Sequence, residues 1–267
     1  RRHNSYYATR AMCKVLLGCL KSFANEDEKS KQLTNSLAQT KNIKARYLKV
    51  AKMGCFSLES MLKNIASYNG ITKFNFLTYV PSLTHGHYGF DASDGIGKLF
   101  EVKTQRISRG LFQIARDCGK KRDYALGIAS KVTARGSEQH LFLLDFDAQM
   151  LCTGNLPELV ESYFGKIAKN KKVYDLLAVS EIDSIVKKIH EDSNGFIVKS
   201  SDRGYHFYGI SVMTNEERIK ILKETEIGII EEVWADAQLK LGYSILRISA
   251  CKNRPYEPKV IAYPAFI

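Results

Sequence analysis

The run Leu141-Phe142-Leu143-Leu144-Asp145-Phe146-Asp147 decides how this chain is read. Four apolar residues lead into two carboxylates at positions i and i+2. On a strand, residues two apart point to the same face. Asp145 and Asp147 are therefore expected to project together from the end of a buried strand. Two co-facial carboxylates there can hold a pair of Mg²⁺ or Mn²⁺ ions for phosphoryl transfer. The same pattern arises where a strand simply ends in a polar turn, so it has to be weighed with the rest of the chain.

The composition narrows the class of partner. The chain has 267 residues, 45% hydrophobic and 25% charged, enough for one large domain or two modest ones with a proper core. Its net charge of +12 points to a polyanion, most simply nucleic acid. The six cysteines, at 13, 19, 55, 118, 152 and 251, form no CxxC pair and no Cys/His cluster with zinc spacing, so no zinc site is expected. Scattered cysteines fit a reducing cytosol, and the expected location is intracellular. No apolar run reaches membrane-spanning length, so no membrane partner is expected. The chain opens on Arg1 rather than Met, as a fragment would.

Periodicity divides the chain. Residues 1–70 are expected to be a helical region, with Phe56 to Leu62 holding a helix start. Residues 71–267 are expected to form a second domain of the α/β (α+β) class. Strands are expected at Phe74–Val80, Lys98–Gln105, Gly110–Arg116, Tyr124–Lys131, Gly195–Ser200, Tyr205–Val212 and Tyr243–Ser249. Leu156–Ala168 and Glu181–His190 read as helices. The four residues between Ser200 and Tyr205 hold Gly204, which predicts a hairpin. Thr214 and Glu217 have capping-box spacing at the start of another helix.

Two further clusters carry chemistry. Ser201-Asp202-Arg203-Gly204-Tyr205-His206 falls at the predicted hairpin turn. Ser201, Arg203 and His206 offer donors suited to phosphate oxygens, and Gly204 allows a sharp turn or a close approach. Downstream, Asp236 precedes Leu246-Arg247-Ile248-Ser249, with Lys252 and Arg254 just behind. An Arg on a strand backed by two cations can clamp a triphosphate, although a surface ion pair would use it equally well.

The three motifs, in this order and spacing over about residues 98 to 262, resemble those of the archaeo-eukaryotic primase superfamily, the primase-polymerases. There an hhhDhD motif is followed by an SxxGxH-like motif, then by a carboxylate ahead of a strand bearing Leu-Arg. The stretch from Gly242 to Ser249, with Lys252 and Pro255, is similar to the plasmid- and virus-borne branch. The resemblance implies a catalytic domain with an RRM-like mixed sheet bearing Asp145, Asp147 and His206. It implies a DNA primase or polymerase that works on a single-stranded DNA template with nucleoside triphosphates and two Mg²⁺ or Mn²⁺ ions. A helicase or other replication protein would be a further partner. Asp145, Asp147 and Asp236 would be the metal ligands. Ser201, Arg203, His206, Arg247 and Lys252 would hold the nucleotide. Asp236 lies in a stretch that reads as helical, whereas the family's third carboxylate usually ends a strand, so Glu231 and Glu232 stay open as alternatives. The zinc cluster of cellular primase small subunits is absent.

Other readings compete. Asp91 and Asp94 precede Glu101-Val102-Lys103 in the pattern of a PD-(D/E)xK nuclease, in which Asp94 and Glu101 would hold Mg²⁺ and Lys103 would orient water. The plainer account of Glu101 and Lys103 is cross-strand charge pairing. A third reading is a non-catalytic module that stacks single strands on rings such as Tyr205, Phe207 and Tyr208. Paired aspartates oppose it, because carboxylates in a nucleic-acid groove repel phosphate unless a metal intervenes. His85 and His87 read as a polar loop, Lys120 to Arg122 as a solvated turn, and Trp234 as core.

Overall fold

The computed structural model describes residues 56–80, 98–108, 112, 124–147, 171–191, 193–202, 204–224 and 232–264. The expectations for residues 1–55, for His85, His87, Asp91 and Asp94, for Lys120 to Arg122, for the helix at 156–168, and for Arg203 and Glu231 lie outside them. So does the strand expected at 110–116, apart from Phe112, which is helical.

Eight strands form one sheet: β1 Ile71–Tyr79, β2 Phe100–Lys103, β3 Ala125–Ala134, β4 Ser137–Asp147, β5 Gly195–Lys199, β6 Gly204–Met213, β7 Ile245–Arg247 and β8 Lys259–Ala262. The helices are α1 Leu58–Asn69, α2 Lys171–Ile189, α3 Asn215–Glu224 and α4 Glu232–Leu241. The spatial order is β2-β1-β3-β4-β6-β5-β8, with β7 paired to β3. This is the expected α+β class. The expected sheet was mixed, but every pairing among the described strands is antiparallel. Hairpins such as β3–β4 and β5–β6 join neighbouring strands directly, which antiparallel pairs allow and parallel pairs do not.

Local chemistry explains the helix ends. Ser57 caps α1 by accepting from the Ser60 amide, and Gly70 ends it in the left-handed region at φ 65°. At the start of α3 the Thr214 amide donates to Glu217 Oε2 at 2.8 Å, and the Glu217 amide donates to Thr214 Oγ1 at 3.2 Å. That is the reciprocal box the sequence predicts. The helix expected at Glu181–His190 is longer at its N-terminal side, and its buried Ala178, Val179, Ile182 and Val186 form one helical stripe.

The main core packs α1 and α2 against the sheet, with Met61, Leu62, Ile65, Ile182, Phe74, Phe76, Phe196 and Phe207 among its members. Trp234 is buried there too, its Nε1 donating to the Ile245 carbonyl at 3.3 Å. A second cluster joins Leu77, Tyr79, Ala125, Ala129, Ile245 and Cys251. Strand β3 serves three partners. One edge pairs with β1 throughout. On the other, Lys131–Ala134 pair with β4 and Gly127–Ala129 with β7. Strand β7 thus fits into the fork where β4 leaves β3 to pair with β6. That leaves room for three residues rather than the seven expected from Tyr243 to Ser249.

Candidate functional site

The site is built where β4 and β6 end together. Their register sets Asp145 opposite His206 and Asp147 opposite Gly204. The first motif and the second, about 60 residues apart in sequence, are therefore cross-strand neighbours. Asp145 is partly exposed. His206 is buried, and its Nε2 lies 3.6 Å from Asp145 Oδ1. That is too long for a hydrogen bond. Burial, with the Arg247 cation adding to it, holds His206 well below its ordinary pKa. The pair at neutral pH is therefore a neutral imidazole beside a carboxylate. His206 Nδ1 is buried without a hydrogen-bond partner among the described residues.

The β5–β6 turn is closed by the Gly204 carbonyl, which accepts from the amides of Ser200 at 2.9 Å and Ser201 at 3.3 Å. Gly204 is needed for space rather than for an unusual φ. A Cβ there would stand 2.8 Å from both the Ser200 and the Ser201 hydroxyl oxygens. The two hydroxyls thus crowd the glycine at the end of the sheet that carries Asp145.

Arg247 is buried and holds backbone. Its Nη1 donates to the carbonyls of Ser249 and Tyr256, both at 2.7 Å, and its Nη2 donates to the carbonyl of Ser200. Nε and one Nη2 hydrogen take no part in these bonds. Lys252 is exposed at the tip of a tight turn closed by reciprocal bonds between Cys251 and Arg254. Asp236 is exposed on α4, while its neighbours Trp234, Ala235, Ala237 and Gln238 are buried. The structure thus brings Asp145, His206, Arg247 and the Ser200–Gly204 turn together, and sets Asp236 and Lys252 on exposed surface. Among the described residues no group of three His, Cys, Asp or Glu side chains is assembled that could hold a metal ion.

Two tyrosines at the site were not singled out for it by sequence. Burial raises the Tyr208 hydroxyl well above its ordinary pKa, reinforced by Tyr79 and Asp145 and opposed by Arg247. Tyr79 is raised by burial as well, with Arg247 opposing and Asp145 adding to the rise. Tyr208 could have been found, since it shares a strand face with His206 two residues before it. Tyr79 could not. Its ring lies against β3 because Gly127 has no side chain: a Cβ there would come within 2.8 Å of Tyr79 Cε1 and of Ile245 Cγ2.

Of the residues of the nuclease reading, Glu101 is exposed on the edge strand β2 and pairs with Lys73 across to β1 at 2.8 Å. That is the cross-strand charge pair of the plainer account. Among the described residues no helix is long and apolar enough to cross a membrane.

A family model described as AEP-like, archaeo-eukaryotic primase 1D-like, matches residues 112–261, more than half of the chain. No curated protein and no solved structure matches it.

Proposed function

The chain belongs to the archaeo-eukaryotic primase family, and from that premise we propose a nucleotidyltransferase that makes or extends primers on single-stranded DNA. The observation that carries this reading is the register of β4 on β6, with Asp145 facing His206 and Asp147 facing Gly204. Metal-ligand and phosphate-ligand motifs then share one sheet end, as transfer to an α-phosphate requires.

In this reading Asp145 and Asp147 hold Mg²⁺ or Mn²⁺. Oxygen ligands two apart on one strand face suit those hard ions. Asp236 supplies the third carboxylate, with Glu231 and Glu232 as alternatives. The ions would neutralise charge on the triphosphate and lower the pKa of the attacking hydroxyl. Ser201, Arg203 and His206 contact the triphosphate, and the neutral His206 acts as a hydrogen-bonding group rather than as a cation. Arg247 sets the turn against the 249–256 segment and turns its remaining N–H groups to the nucleotide. Lys252 adds charge at the rim. The domain would begin near residue 71, with α1 packed on it, and the source would be a plasmid or virus replicon. The cell interior is the expected location and a helicase the expected partner.

The test is one incubation of the protein with unprimed single-stranded DNA, labelled nucleotides and Mg²⁺ or Mn²⁺, beside an Asp145→Ala/Asp147→Ala control. New labelled oligomers that vanish in the control, with DNA binding intact or stronger, support the reading. Synthesis retained in the control would remove the metal assignment. Shortened template dependent on Glu101 and Lys103 would mean a nuclease instead.

A further inference from the structure

The two stems of the β5–β6 turn carry a set of contacts of their own. Lys199 ends β5, Tyr205 is the second residue of β6, and the two are cross-strand partners next to the turn. Both side chains reach one atom on α2. Lys199 Nζ donates to Asp175 Oδ1 at 2.6 Å, and the Tyr205 hydroxyl donates to the same oxygen at 3.0 Å. Lys199 Nζ also stands 5.8 Å from the centre of the Tyr205 ring. Lys199 and Tyr205 are buried, and Asp175 is partly exposed.

The chemistry of the three groups is that of a clamp. Burial, then the charge and hydrogen bond of Asp175, raise the Tyr205 hydroxyl well above its ordinary pKa. It therefore stays a donor to the carboxylate. A buried ion pair adds little net stability over apolar side chains of the same size, because desolvation offsets the attraction. What this one adds is direction, since a single carboxylate oxygen fixes a side chain on each stem. Those stems lead straight into the residues placed at the nucleotide. Lys199 precedes Ser200 and Ser201, and Tyr205 lies between Gly204 and His206. Adjacent residues on a strand point to opposite faces. Tyr205 reaches Asp175 on one face while His206 stands beside Asp145 on the other. The turn is thus held by its backbone through Arg247 and by its stem side chains through Asp175.

We infer that Asp175 is a positioning residue for the nucleotide: through Lys199 and Tyr205 it sets the turn that presents Ser201 and His206 to the triphosphate. The inference rests on the nucleotidyltransferase reading above, which places those two residues at the nucleotide.

The test compares the two aspartates of α2. Asp183 also pairs with a lysine, but that lysine, Lys187, is on the same helix. Asp183→Ala therefore breaks an ion pair of α2 that does not reach the turn. In primer synthesis, Asp175→Ala should raise the apparent nucleotide KM about five-fold with kcat nearly unchanged. It should also speed hydrogen exchange at the Ser200 and Ser201 amides, which donate to the Gly204 carbonyl. Asp175→Asn keeps an acceptor oxygen and should recover part of both effects. Tyr205→Phe leaves the ion pair, and with it the fold, in place and should give a smaller rise in KM. Asp183→Ala should lower the melting temperature and leave KM and the two amides as in wild type. An unchanged KM in Asp175→Ala and Tyr205→Phe would overturn the inference. So would an equal rise in Asp183→Ala, which would mean a general loosening of α2. Exchange at the two amides needs no catalysis, so unchanged exchange in Asp175→Ala overturns the clamp whether or not wild type makes product. Wild type that makes no product would instead overturn the nucleotidyltransferase reading.

Discussion

The guanidinium of Arg247 holds the backbone carbonyl of Ser200, a residue 47 positions earlier in the chain. The same group binds the carbonyls of Ser249 and Tyr256. One side chain therefore ties three segments: the exit of β7, the stretch leading to β8, and the first residue of the β5–β6 turn. The guanidinium has five N–H donors in a fixed planar fork, which lets it serve these three carbonyls and keep donors to spare.

Arg247→Lys keeps the charge but not the fork, and it separates a geometric role from an electrostatic one. A lysine can satisfy one or two of the carbonyls, and each carbonyl left buried without a donor costs about 1–3 kcal/mol. The variant should lose roughly 3 kcal/mol in denaturant unfolding. Its apparent nucleotide affinity should fall nearly as far as that of Arg247→Met. Wild-type stability in the lysine variant would show that charge alone is what the site needs.

Gly204→Ala should do the opposite, with little loss of stability and a clear loss of nucleotide binding. The added Cβ meets the oxygens of two serine side chains rather than backbone. Those hydroxyls can rotate away, at a cost on the order of 1 kcal/mol. The rotation takes the Ser201 hydroxyl out of its present orientation. Melting should fall by only a few degrees while the apparent nucleotide KM rises several-fold. Ser201→Ala should reproduce the KM effect without the change in melting. An unchanged KM in both variants would remove Ser201 from the nucleotide site.

What could be read from sequence was local. The apolar run into Asp145 and Asp147 gave a strand because four adjacent apolar residues must be buried on both faces. The β5–β6 hairpin and the Thr214–Glu217 box depend on residues a few positions apart, and both are present. What failed depends on distant parts of the chain. Strand β7 is short because β4 diverges from β3, and nothing in Tyr243 to Ser249 records that. That Arg247 also ties down the carbonyls of Ser200, Ser249 and Tyr256 is equally absent from its sequence neighbours, which are cations. The place of Tyr79 at the site follows from a glycine 48 residues later in the chain.

The cap of α3 predicts a modest, separable effect. Thr214→Ala removes the acceptor for the Glu217 amide. Caps of this kind are worth about 1 kcal/mol. Helix α3 carries Arg218, so the loss should appear as faster hydrogen exchange at the first amides of α3. Nucleotide binding should not change, since the cap belongs to α3 and the proposed nucleotide residues to the β5–β6 turn, β6, β7 and the turn after β7. Global unfolding weakened by several kcal/mol would mean that the cap supports more than its own helix.

His140 sets an acid limit on stability. It is buried, and its pKa is lowered to about 4, first by burial and then by the Arg218 cation; Lys131 also lowers it, while Glu138 and Glu216 oppose. A histidine whose folded pKa is depressed binds its proton more tightly when unfolded. Its contribution is full above the unfolded value near 6.5 and is lost as pH falls from there to about 4. The shift corresponds to roughly 3 kcal/mol over that interval. Denaturant unfolding of wild type and His140→Gln should therefore differ in slope between pH 6.5 and pH 4 and run parallel above pH 7, where the imidazole is neutral in both states. Curves that stay parallel throughout would mean that the imidazole takes up its proton in the fold as readily as in the unfolded chain, against the effect of its burial.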